Sequence, residues 1–262
     1  MHHGLKYIFG IALALAIGVG WYYAQVFNCQ RIESNLAFRA ATPKCYFSKQ
    51  ISGVSQQNTR AAIGAARQRI AAFWGKQLGD ATIIVCNTPA QYRDFCHSNE
   101  GAGCSIGTPW GDSFIVLNPY GLDTDVIAHE MCHDELYTRL GWWKLAYQIP
   151  QWFNEGLALM VDYRFVTTQD SIQRYIDYKT EWTYRSYGQQ KKLELADISR
   201  ASGFFGGDPA HVMLAYMTAG MEVAEWLSLN PKRAVVVLVN ELKAGKKFED
   251  VYKKKRTLPA AH

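Results

Sequence analysis

The chain has 262 residues, 48% of them hydrophobic and 19% charged, with a formal net charge of +5 at pH 7. So ordinary a composition excludes global disorder and supplies a core for one globular domain plus an appendage. The charge excess is mild and no aromatic residues interleave with basic ones, so a nucleic-acid partner is excluded.

Residues 7–27, YIFGIALALAIGVGWYYAQVF, form an apolar stretch of about the length a helix needs to cross a bilayer, roughly 20 residues. Lys6 precedes it, and Trp21, Tyr22 and Tyr23 lie near its far end like an interfacial belt. The stretch reads as a transmembrane anchor or, alternatively, as a signal peptide cut at Gly18 or Gly20. Either reading leaves residues 1–6 as a cytoplasmic tip and places the rest outside the cytoplasm, facing the periplasm of a bacterial inner membrane or secreted. Residues 28–56 are polar and read as a stalk before a domain over residues 57–262. Six cysteines suit that compartment. Cys29 with Cys45 and Cys96 with Cys104 are the expected pairs, which leaves Cys86 and Cys132.

Residues 59–74 are Ala-rich with Ile63, Ile70 and Phe73 at helical spacing, which predicts a helix. Residues 81–86, ATIIVC, predict a strand. A short helix over 89–96 follows, capped by Thr88. Residues 112–118 predict a second strand, stopped by Pro119. Asp123 and Asp125 supply a cap and negative charge for a helix ending at Gly141. Pro150 is placed to begin the next helix. Residues 167–184 and 208–227 read as further helices, and a Gly-rich break at 203–207 reads as a turn or a flexible segment beside the cleft. Asn230 and Pro231 begin a last helix closed by Gly245. The basic runs at 243–247 and 253–256 read as a solvated tail, with anionic lipid headgroups as the alternative contact. The fold class is α+β: an N-terminal transmembrane helix, then a small sheet and a helical C-terminal half.

The chemistry-bearing segment is His129-Glu130-Met131-Cys132-His133, followed by Trp152-Phe153-Asn154-Glu155-Gly156-Leu157-Ala158. Helix positions four apart lie about 40° apart around the axis, so His129 and His133 face one metal ion. Glu130 sits about 100° from His129, within reach of a metal-bound water. Glu155, from the second helix, completes a three-ligand set with an open position, the pattern of catalytic zinc. Cys132 lies about 60° from His129 on the side away from His133, a direction that suits packing or a bond to Cys86.

These two segments resemble the gluzincin zinc peptidases, in particular the peptidase MA-like group related to aminopeptidase N and thermolysin. The resemblance is carried by His129, Glu130 and His133, then by Asn154, Glu155, Gly156 and Ala158. It implies a zincin-like domain with Zn2+ at His129, His133 and Glu155, and a water activated by Glu130. No G-x-M-E-N segment precedes the pair, so aminopeptidase specificity is not implied. The resemblance also implies an oxyanion donor from a later helix, for which Tyr216 and His211 are the candidates. It further suggests that the edge of the 112–118 strand pairs with substrate backbone, the alternative being an interior strand. Asp162 or Asp134 would orient an imidazole from outside the ligand set.

The resulting expectation is a membrane-anchored zinc metallopeptidase acting on peptide or protein substrates outside the cytoplasm, with internal cleavage favoured. A binding or assembly protein on the same fold is the alternative. An integral-membrane peptidase fits poorly, because the metal motif lies far from the one apolar stretch.

Overall fold

The computed structural model describes residues 23–96, 101–230 and 233–256, with side chains up to residue 253. The chain opens with helix α1 (Ala24–Gln30), strands β1 (Phe38–Thr42) and β2 (Cys45–Ser48), and helix α2 (Gly53–Trp74). Strand β3 (Thr82–Val85), helix α3 (Pro89–Arg93), and strands β4 (Gly103–Gly107) and β5 (Ser113–Leu117) follow. The remainder is helical: α4 (Thr124–Leu140), α5 (Trp142–Gln148), α6 (Gln151–Ala158), α7 (Ser171–Arg185), α8 (Ala201–Phe205), α9 (Pro209–Ser228), α10 (Ala234–Lys243) and α11 (Phe248–Arg256).

The five strands form one mixed sheet in the order β1-β2-β3-β5-β4. The three central strands run parallel, and β1 and β4 run antiparallel at the two edges. Successive side chains of a strand point to opposite faces. Ile83 and Val85 therefore join the main core beneath α2 and α4, whereas Ile84 and Cys86 join a second cluster with Cys29, Ile32, Tyr92 and Phe95. Both faces are covered, which explains the unbroken apolar run of β3.

Helix α4 is buried on nearly every side, so it carries little amphipathic signature. Its start and stop follow from local chemistry. The Asp123 carboxylate accepts from the Asp125 and Val126 amides, and Gly141 leaves the helix at φ 78°. Toward that C-terminal end Glu135 accepts from the Leu78 and Gly79 amides and pairs with Arg139 at 2.5 Å, tying α4 to the loop that enters β3.

Several expectations are corrected. Most of the apolar stretch 7–27 lies outside the described residues, and among the described residues no helix is long and apolar enough to cross a membrane. The described chain is mixed α and β, and the transmembrane helix expected ahead of the sheet is not found among the described residues. The described end of that stretch turns into α1, where Val26 and Cys29 are buried. Residues 28–56 are no stalk, because β1 and β2 are paired members of the sheet. The strand expected at 112–118 is β5, an interior strand; the edge beside α4 is β4, whose glycines and lone Ile106 gave no strand pattern. Cys29 and Cys45 are unbonded and lie on opposite faces of the sheet, and so do Cys86 and Cys132. Cys96 and Cys104 are joined.

Helix α2 begins at Gly53, capped by Ser52 and earlier than its apolar pattern, because its first turns bury Gln56 and Thr59 instead of hydrophobic residues. The tail is also more ordered than its charge suggests. Phe248, Val251 and Tyr252 of α11 are buried, with Phe248 4.9 Å from Phe153 and Tyr252 5.4 Å from both Trp152 and Trp226, ring centre to ring centre. This aromatic cluster seats α6, the helix that carries Glu155.

Candidate metal centre

Two helices and one loop converge on the site. On α4, His129 and His133 present their rings from successive turns, with centroids 4.8 Å apart. From α6, Glu155 Oε2 lies 3.2 Å from His129 Nε2 and 3.6 Å from His133 Nε2. One donor atom from each residue lies within 4.8 Å of the others. The close approach of α6 depends on Gly156. A Cβ there would sit 2.5 Å from the Ala219 carbonyl oxygen and 2.6 Å from Val223 Cγ2, both on α9.

The remaining polar atoms of the three residues are held from behind. His129 Nδ1–H donates to Asp162 Oδ2 at 3.2 Å, and His133 Nδ1–H to Asn154 Oδ1 at 3.0 Å. Gln151 Nε2 donates to Glu155 Oε1 at 2.8 Å. These bonds orient both rings so that each Nε2 would serve as a lone-pair donor once a metal takes the place of its proton, the arrangement by which outer partners orient metal-binding imidazoles. Two ligand atoms held by one tetrahedral zinc at about 2.0–2.1 Å lie roughly 3.3 Å apart. The 3.2 and 3.6 Å from Glu155 to the two imidazoles match that spacing, and the three donor atoms all lie within 4.8 Å of one another, so these residues could hold such an ion.

Asp162 reaches His129 from a turn beyond the end of α6, not from the helix itself. That turn is fixed by buried side chains: Arg174 of α7 donates to the Leu159 and Asp162 carbonyls at 2.8 and 3.1 Å, and Tyr178 Oη donates to Leu159 O at 3.2 Å. Arg69 of α2 donates to the Val161 carbonyl at 2.8 Å and pairs with Asp125.

Charges at the site shift as their surroundings require. Burial disfavours the ionised Glu155, but the two imidazoles outweigh it and hold the carboxyl well below the usual carboxylate range. Burial lowers the His129 imidazolium, yet its hydrogen bonds to Asp162 and Glu155 prevail and raise it to about 10. Glu130 is 7% exposed, and burial pushes its carboxyl up against the opposing pull of His129 and His133. Its carboxylate accepts no hydrogen bond among the described residues. It faces β4, where a Cβ on Gly103 would lie 2.9 Å from Glu130 Cγ.

Two hollows flank the centre. One, of about 480 Å³, is lined by His129, Glu130, Gly103, Arg164 and Tyr216. The other, of about 350 Å³, contains Asn154, Gln151, Tyr137, Trp142 and Gly107. Gly103 and Gly107 are the two ends of β4, so the hollows lie along that edge strand, one on each side of the donor set.

Tyr216 comes to the site, its ring 6.4 Å from that of His129. Burial and the nearby charges of Glu155 and Glu130 push its hydroxyl well above the ordinary value, so it stays a donor. His211 does not come. It points back to the Gly203 carbonyl at 2.8 Å and lines neither hollow. Asp134 also faces away, accepting from the Ala81 amide at 3.1 Å. Cys132 is buried in the core and is no member of the donor set. Sequence reasoning missed Gln151, the role of Asn154, Arg164 and strand β4. Gln151 could have been found four residues before Glu155 on the same helical face.

No family model, curated protein or solved structure matches this chain. The likeness to gluzincins consequently rests on the two short segments at His129 and Asn154 alone.

Proposed function

We propose that this protein is a zinc-dependent metallopeptidase that cleaves peptide bonds by hydrolysis, with internal cleavage favoured. The observation that carries the proposal is the convergence of His129, His133 and Glu155, each with its second polar atom engaged elsewhere. Bound to these residues, zinc would supply Lewis acidity and a water with a pKa near 7 instead of 15.7.

The chain's own residues do the rest. Glu130, buried and without a hydrogen-bonding partner among the described residues, takes the proton of the attacking water at its carboxylate and delivers it to the leaving amine. Tyr216 keeps its proton and donates a hydrogen bond to the oxygen on which charge develops. An extended substrate lies along β4, whose outer edge has no neighbouring strand among the described residues. The hollows on both sides of the donor set give room for chain in both directions, which favours internal cleavage over trimming. Action outside the cytoplasm is the compartment we assign, supported by the Cys96–Cys104 disulfide.

The alternative is a binding or assembly protein with zinc kept for structure. A structural zinc closes its fourth position with a protein ligand and requires no base. Here the donor set has three members among the described residues, and Glu130 stands in the adjoining hollow. The test is digestion of a mixed peptide library by zinc-loaded protein, with and without a chelator, beside Glu130→Gln. Internal fragments that disappear with chelator and in the variant are expected. Intact peptides under zinc-replete conditions would overturn the proposal in favour of binding.

A further inference from the structure

We infer that the hollow beside His129 and Glu130 recognises a carboxylate on the substrate, with Arg164 as the anchor. The inference rests on the peptidase reading and adds a substrate class to it: peptides bearing an acidic group next to the bond that is cut.

Arg164 is held in place before any ligand arrives. Its Nε donates to Asp162 Oδ1 at 2.9 Å and its Nη2 to Asp162 Oδ2 at 2.6 Å. Asp162 is fully buried and is itself fixed by His129 and by the Arg164 amide at 3.0 Å. A guanidinium carries five N–H donors in a rigid fork. Asp162 takes two of them, and three remain on a side chain that is 37% exposed and lines the hollow. Nη1 makes no hydrogen bond among the described residues.

Among the described residues Glu130 is the one acid lining this hollow, with Asp123 near enough to act on Arg164, and no acid lines the other, which has Arg200 in its wall. Phe165, Phe205 and Met213 form apolar wall beside Arg164, and an apolar wall strengthens a charged hydrogen bond by excluding water. A carboxylate would take two parallel charge-assisted bonds from the free edge of the fork, whereas an amide offers one acceptor and a donor with nothing to meet. Because Asp162 neutralises Arg164 as a pair, recognition acts at hydrogen-bonding range and depends on the shape of the fork. Lysine cannot reproduce that shape. The carboxylate can belong to an Asp or Glu side chain or to the C-terminus of the substrate.

The test uses the full zinc-loaded chain carrying Glu130→Gln, so that peptides bind without being consumed. Fluorescent peptides are compared in matched pairs by anisotropy: internal Glu against Gln at positions on either side of the scissile bond, and free C-terminus against amide. The same pairs are offered to the wild-type chain, with products read by mass spectrometry. We expect at least tenfold tighter binding of one acidic member, falling to about equality when Arg164→Gln is added. Arg164→Lys, which keeps a cation for Asp162, should retain zinc and still lose most of the discrimination. A preference for internal Glu assigns the subsite to side chains, and a preference for the free terminus assigns it to chain ends. Peptides that bind and are cut with no acid preference would overturn the subsite and leave the peptidase reading standing. Peptides that are neither bound nor cut would overturn both.

Discussion

Replacing Gly156 by alanine tests how the Glu155 helix is seated. The residue lies inside α6, where Ala is favoured over Gly by about 1 kcal/mol. With free space around it, the substitution would therefore stabilise the protein. The structure removes that space: the new Cβ would lie 2.5 Å from the Ala219 carbonyl oxygen, a backbone atom. Carbon and carbonyl oxygen in close contact sit roughly 3.3 Å apart, so α6 and α9 must separate by roughly 0.8 Å. Overpacking of this kind costs about 1–3 kcal/mol. A contact with backbone belongs at the upper end, which leaves a net loss of about 2 kcal/mol after the helix gain. At about 2–4 °C per kcal/mol, Tm should fall by about 4–8 °C. The shift also carries Glu155 away from the paired rings by more than the roughly 0.2 Å that a zinc bond tolerates, so zinc affinity falls too. Gly64 in α2 is the control, because a Cβ there meets nothing within 4 Å. Gly64→Ala should raise Tm by about 2–4 °C, from the same helix gain. Thermal melts of the two variants, with zinc titrated against a competing chelator, decide the matter. If both glycines respond alike, or if Gly156→Ala binds zinc as the parent does, the packing account of Glu155 is wrong.

Other outcomes follow from the same geometry. Asp162→Asn, which leaves His129 Nδ1 without its charged acceptor, should weaken zinc by about 10–100-fold in the same competition titration. Tyr216→Phe should keep zinc and lose about 10²–10³-fold in kcat, the cost of one oxyanion donor. His211→Ala should leave kcat unchanged, since its ring is turned to Gly203. Peptide mapping without reductant should recover Cys96 joined to Cys104, and Cys29, Cys45, Cys86 and Cys132 as free thiols.

Helix α4 was legible because its signals are local. Asp123 caps it, Gly141 ends it, and the spacing of His129 and His133 follows from helix geometry. Glu155 was legible through the Asn154–Ala158 segment. What stayed hidden depends on contacts distant in sequence. Strand β4 carries two terminal glycines, Cys104, Ser105 and Ile106, and becomes a strand only by pairing with β5. The strands at 38–48 were read as a stalk because their polar residues masked Phe38, Tyr46 and Phe47, which are buried. The Cys96–Cys104 pair was legible as a short bracketed loop, whereas Cys29 with Cys45 failed for a related reason: spacing says nothing about which face of a sheet a side chain occupies. Tyr216 and His211 share α9, yet one reaches the site and the other bonds to Gly203, a difference set by the direction of each side chain around the helix.

X-ray absorption at the zinc edge of the loaded protein tests the donor set most directly. The account predicts one zinc per chain in a shell of nitrogen and oxygen at about 2.0–2.1 Å, with multiple scattering from two imidazoles and none of the sulfur expected at about 2.3 Å. In Glu155→Ala that shell should lose an oxygen and the ion should dissociate under mild chelation. A sulfur shell, or a wild-type chain that holds no zinc when Glu155 and both imidazoles are intact, would contradict it.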